Sequence, residues 1–162
     1  MTTSPNKVTL LDLLKRPACL LAYGFGSGLS PKAPGTMGTI AALPIYWLIH
    51  DVGMLSYLLI TFIAFFAGIW ICQQAVNWLK QDDPSAVVWD EIVGYLITMI
   101  AAPAGWQWML LGFVLFRLFD IWKPWPISLA DRKLHGGFGI MLDDVIAGVF
   151  AAMVLQLCHY LL

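Results

Sequence analysis

The stretch MLSYLLITFIAFFAGIWICQQAV, residues 54–76, carries no charged side chain. As a helix rising about 1.5 Å per residue, it is long enough to span the roughly 30 Å of hydrocarbon in a bilayer. The closing stretch VIAGVFAAMVLQLCHYLL is similar but shorter. Three more apolar segments lie at 37–50, 92–103 and 106–116, and the first and last of these must borrow flanking residues to cross. The reading predicts an all-α, integral membrane helical bundle of about five spans. Residues 1–162 form one domain, without a linker or low-complexity segment.

Composition points the same way. Hydrophobic residues make up 60 % and charged residues 12 %, against about 45–50 % and 25 % in an average globular domain. Mean hydropathy is +0.77. A chain this short buries such an excess only by association, most commonly with a bilayer. A net charge of −1 excludes the basic field that holds nucleic acid. Intrinsic disorder is excluded as well, because it needs low hydrophobicity and high charge. Cys19, Cys72 and Cys158 form no CxxC pair and read as small core hydrophobes.

Every charge except Asp51 falls within 7–32, 80–91 or 117–144. The turns predicted at 50–53 and 103–105 carry no Lys or Arg, whereas Lys80, Arg117, Lys123, Arg132 and Lys133 border the other span ends. The positive-inside rule then sets the N-terminus in the cytoplasm and the C-terminus outside. ACLLAY (18–23) is too short for a signal-peptide core. Nearly all ionisable residues thus gather on one, cytoplasmic, face.

Five constellations occupy that face. GFGSGLSPKAPGTMG (24–38) matches neither a dinucleotide fingerprint nor a P-loop. Its glycines suit backbone contact with an anion at a helix start, and the alternative is a re-entrant turn capped by Thr36. Asp90-Glu91 enters the third span and Asp143-Asp144 the fifth. Gly94 and Gly148 lie one turn below Asp90 and Asp144, leaving room for a neighbouring helix or a ligand. A lone acidic pair at a helix start is usually a cap. Two pairs at one membrane depth point to a cation held by hard oxygen ligands, which suits Mg²⁺. Arg117 and Asp120 are spaced i,i+3, and Lys123 follows before Pro124 and Pro126. A snorkelling belt with Trp122 and Trp125 accounts for Lys123 but poorly for Asp120. DRKLHGGFG (131–139) adds glycines for phosphate contact and His135, which reads equally as a solvated loop residue. Carboxylates for a metal beside cations for an anion are the equipment of phosphoryl chemistry. In a membrane-embedded, cytoplasm-facing cleft the phosphate would belong to a lipid.

GFGSGLSPKAPGTMGT, VVWDEIVGYLIT, FRLFDIWKPWPI and DRKLHGGFGIMLDDVIAG, in this order and spacing, resemble the phosphatidylglycerophosphatase A family of bacterial inner membranes. The resemblance covers about 20 to 150. It implies an all-helical fold and Mg²⁺-dependent removal of the terminal phosphate from phosphatidylglycerophosphate, giving phosphatidylglycerol. Roles of single residues are then assigned by chemistry. Asp90, Glu91, Asp143 and Asp144 hold one or two Mg²⁺ ions, with Asp120 a further ligand or the orienter of Arg117. Arg117 and Lys123 neutralise phosphate, helped by backbone groups around Gly35, Thr36 and Gly38 and around Gly136 and Gly137. The nucleophile stays open between an activated water and an aspartate.

Two other classes compete. A CDP-alcohol phosphatidyltransferase would string its acids as DGxxAR…GxxxDxxxD, which does not occur here. An ion or proton transporter would place acids near the bilayer midplane rather than at one interface.

Overall fold

The computed structural model describes residues 8–161, and every regular element among them is helical. Two short helices, α1 (Leu10–Leu14) and α2 (Pro17–Ala22), lead through a 3₁₀ turn at Gly24–Leu29 into six more. These are α3 (Pro34–Ile49), α4 (Met54–Leu79), α5 (Trp89–Thr98), α6 (Trp106–Trp122), α7 (Ile127–Lys133) and α8 (Gly136–Leu161). α1 begins with a reciprocal cap between Thr9 and Asp12. The glycine-rich stretch departs from expectation in its second half, which is already helix. Pro34 at the first helical position starts α3, and Thr36 makes no side-chain cap.

All five apolar segments become helices, but the expectation of about five spans is met only in part. Among the described residues α4 and α8, 26 residues each, are long and apolar enough to cross a membrane. α3 and α6, with 16 and 17 residues, reach about 24–26 Å. α5 is the clear departure. Its ten residues rise about 15 Å, half the hydrocarbon thickness. Ile92, Val93, Tyr95 and Leu96 are all buried, and α3, α4, α6 and α8 pack around it. Hydropathy records removal from water and does not distinguish protein neighbours from lipid, so a buried half-length helix reads like a span.

A helix that ends inside an apolar bundle leaves carbonyls without water to pair them. Here side chains from both long helices supply the donors. The Tyr57 hydroxyl of α4 donates to the Leu96 carbonyl at 2.6 Å. Gln156 of α8 donates through Nε2 to the Ala101 carbonyl at 2.8 Å and that of Ile100 at 3.2 Å. At the other end of α5, the Trp89 indole donates to the Ala64 carbonyl on α4 at 3.0 Å.

α5 and α8 approach most closely through two glycines. A Cβ built on Gly148 would lie 2.5 Å from the Gly94 carbonyl oxygen, and one on Gly94 would lie 3.0 Å from that of Asp144. Small residues at such crossings let backbones touch. Asp90 and Asp144 each sit one turn before their glycine, so the crossing brings them together, as the sequence spacing predicts.

Much of the outer surface is apolar. Leu55, Phe62, Ile63 and Trp70 of α4 are all mostly exposed, a surface of the kind that marks contact with lipid.

Candidate active site

The N-termini of α3, α5 and α8, the loop after α4 and the C-terminus of α6 line one cavity of about 310 Å³. Asp90 and Glu91 lie in the first turn of α5, where the helix dipole favours negative charge. Asp144 comes from α8. One carboxylate oxygen from each of Asp90, Glu91 and Asp144 lies within 4.8 Å of the other two. Asp90 Oδ1, Glu91 Oε2 and Asp144 Oδ2 are buried and accept no hydrogen bond. At an effective dielectric near 20, each pair of such charges repels by about 3.5 kcal/mol. Three carboxylates, each with a buried oxygen that accepts no hydrogen bond, therefore need positive charge brought among them, and three hard oxygen donors suit a divalent cation.

Arg117 supplies part of that charge. Its Nη1 pairs with Asp120 Oδ2, one turn along α6, and lies 3.8 Å from Glu91 Oε1. Its Nε is buried without an acceptor. Gly35 makes room for this group, because a Cβ there would collide with Glu91 Oε1 and approach Arg117 Nη1 to 3.1 Å.

Lys123 forms a second charged unit. Its Nζ donates to Asp131 Oδ1 and, at 2.7 Å, to Asp143 Oδ2. Burial works against the ammonium charge, yet the two carboxylates outweigh it and hold Lys123 above the ordinary lysine range. Lys123 ends α6 in the left-handed region with φ 45°, a conformation costing a non-glycine residue about 1 kcal/mol. Both ion pairs help to hold it there.

The predicted four-carboxylate metal set thus divides. Asp90, Glu91 and Asp144 converge, whereas Asp143 lies outside that trio and pairs with Lys123. Neighbouring residues on a helix point about 100° apart, so Asp143 and Asp144 serve different neighbours. Of the predicted backbone donors, Gly35 and Gly136 line the cavity, but Thr36, Gly38 and Gly137 do not. Gly38 is a packing residue: a Cβ there would lie 2.5 Å from Val88 Cβ. Gly137 has its N–H committed to Gln73 Oε1 at 2.9 Å. His135 lines the cavity from an exposed position.

Asp131 is the residue that reading the sequence passed over. Its loop attracted notice for its glycines and His135, and no local spacing announces a partner for Lys123 across the Pro124–Pro126 turn. Asp82, Asp83 and Ser85, in the loop after α4, also line the cavity.

Comparison with known proteins agrees with this chemistry. Residues 20–159 match the family described as phosphatidylglycerophosphatase A. The chain is 46 % identical over 143 residues to phosphatidylglycerophosphatase A of Escherichia coli K12, covering 88 % of this chain and 83 % of that protein. It is 42 % identical over 160 residues to the Haemophilus influenzae Rd protein of the same name, covering 98 % of each. A Bacteroides thetaiotaomicron protein named putative phosphatidylinositol-3-phosphatase is 39 % identical over 166 residues, with 92 % of this chain and 99 % of that one covered. No solved structure matches the chain.

Proposed function

The chain belongs to the phosphatidylglycerophosphatase A family, and from that premise we propose that its acidic cleft hydrolyses the terminal phosphomonoester of phosphatidylglycerophosphate with Mg²⁺ as cofactor. Membership makes it a phosphoric monoester hydrolase of phospholipid metabolism. The Mg²⁺ reading rests on one observation, the convergence of Asp90, Glu91 and Asp144 beside Arg117, each with a buried carboxylate oxygen that accepts no hydrogen bond.

Those three residues would hold the ion. Bound there, it would offset their mutual repulsion and polarise a phosphoryl oxygen. Arg117 presents a planar fork to the phosphate, its unpartnered Nε included, while Asp120 and Glu91 fix the plane of the guanidinium. Lys123, steadied by Asp131 and Asp143, adds a point charge to the same cavity. Such a site works mainly by positioning and charge neutralisation.

In the same reading the protein is multi-pass in the bacterial inner membrane, with the cleft facing the cytoplasm. α3 and α8 start at the cleft end while α4 and α6 finish there, and that end carries Lys80, Arg117, Lys123, Arg132 and Lys133. The turns at the other end carry no Lys or Arg.

The test is phosphate release by purified protein in mixed micelles, with and without Mg²⁺ or EDTA. The lipids compared are phosphatidylglycerophosphate, phosphatidic acid, lysophosphatidic acid and phosphatidylinositol 3-phosphate. Turnover of the first, abolished by EDTA and restored by Mg²⁺, is expected. A rate indifferent to EDTA overturns the metal assignment, and preference for phosphatidylinositol 3-phosphate overturns the substrate.

A further inference from the structure

A phosphomonoester held at Arg117 in this cleft still carries two acyl chains that must lie in hydrocarbon. α6 presents two adjoining faces. Arg117 and Asp120 look into the cavity, and Leu110, Val114, Leu118 and Trp122, spaced i,i+4, form an exposed apolar stripe. At about 100° per residue, Ile121 falls between the two faces. It is 70 % exposed, and it is the one large apolar lining residue of the cavity that is exposed, among the described residues. Val87 and Ile140, also in the lining, are buried. From Leu110 to Trp122 the stripe rises about 18 Å, close to the roughly 15 Å of hydrocarbon in one leaflet.

We infer that the stripe Leu110–Val114–Leu118–Ile121–Trp122 is the docking surface for an acyl chain of the lipid phosphomonoester, which reaches the cleft sideways from its leaflet past Ile121. The occupant is argued from continuity: the apolar stripe meets the polar cavity at one residue and has the length of the chain it would hold. The inference rests on the lipid-phosphatase reading given above and deepens it.

Two measurements on the full chain in mixed micelles test it. The first uses wild-type protein and phosphatidylglycerophosphate bearing a diazirine on its acyl chain. Illumination should place adducts on 110–122, and unlabelled phosphatidylglycerophosphate should remove them while phosphatidylcholine does not. Adducts spread equally over α4 and α6, or indifferent to competition by the substrate, overturn the docking site. The second compares a long-chain with a dihexanoyl substrate. Leu118→Asn should raise the KM ratio of long to short about tenfold, as loss of one buried apolar side chain implies. Phe62→Asn, on the exposed face of α4, should leave that ratio alone. An unchanged ratio in Leu118→Asn, or an equal change in Phe62→Asn, counts against the stripe. Phosphate release by wild type in the same micelles separates the two readings. Hydrolysis without adducts on α6 sinks the docking site alone, and no hydrolysis sinks the function on which it rests.

Discussion

Gly148→Ala sets two effects of known size against each other. The added methyl would lie 2.5 Å from the Gly94 carbonyl oxygen and 3.2 Å from Ile97 Cβ, where ordinary contact begins near 3.4 Å. The first obstacle is backbone, so no rotamer relieves it. Relief requires α5 and α8 to separate by about 0.9 Å, the difference between 3.4 and 2.5 Å. Overpacking of this kind costs about 1–3 kcal/mol, while alanine gains back about 1 kcal/mol of helix propensity over glycine. Stability should therefore fall by no more than about 2 kcal/mol. Activity should suffer far more. The crossing sets the distance from Asp144 to Asp90 and Glu91, and misplacement by about 1 Å can cost about 100-fold in rate. Thermal unfolding in detergent, read beside phosphate release at several Mg²⁺ concentrations, separates the two effects. A folded variant slowed about 100-fold, with a higher Mg²⁺ requirement, is expected. Wild-type turnover in a variant that folds normally would falsify the claim that the Gly94–Gly148 crossing positions the acidic trio.

Asp144→Asn and Asp143→Asn, adjacent in sequence, should fail differently. Asp144→Asn should abolish turnover or shift its Mg²⁺ dependence steeply, whereas Asp143→Asn should lower kcat by freeing Lys123 while leaving the Mg²⁺ midpoint in place; identical Mg²⁺ titrations contradict the division of the four acids. Tyr57→Phe removes the donor to the buried Leu96 carbonyl and should cost about 1–3 kcal/mol in unfolding with turnover kept below the melting range, so an unshifted transition shows the cap is dispensable. Single cysteines at 51 and 133, in a background without Cys19, Cys72 and Cys158, should label from opposite sides of sealed vesicles; labelling from one side rules out the alternating topology.

Sequence alone determined much of what the molecule is made of. Five charge-poor apolar segments announce five helices, because burying that much apolar surface in 162 residues requires them. The gathering of Asp90, Glu91, Arg117, Asp120, Lys123, Asp143 and Asp144 at one end follows from antiparallel alternation of those segments. The pairing of Arg117 with Asp120 is local, three residues apart on one helix face, and so could be read from spacing. Tertiary structure decided the rest. α5 is a buried half-length helix rather than a span because its neighbours are α3, α4, α6 and α8 instead of lipid, and residue hydropathy is the same for both. Asp144 joins Asp90 and Glu91 while Asp143 takes Lys123, since the rotation of α8 against α5 selects which of two adjacent acids faces which partner. Gly35 opens onto the Glu91–Arg117 pair, whereas Gly38 rests on Val88 and Gly137 on α4. A missing side chain admits either a ligand or another helix, and only the packed chain shows which one arrives.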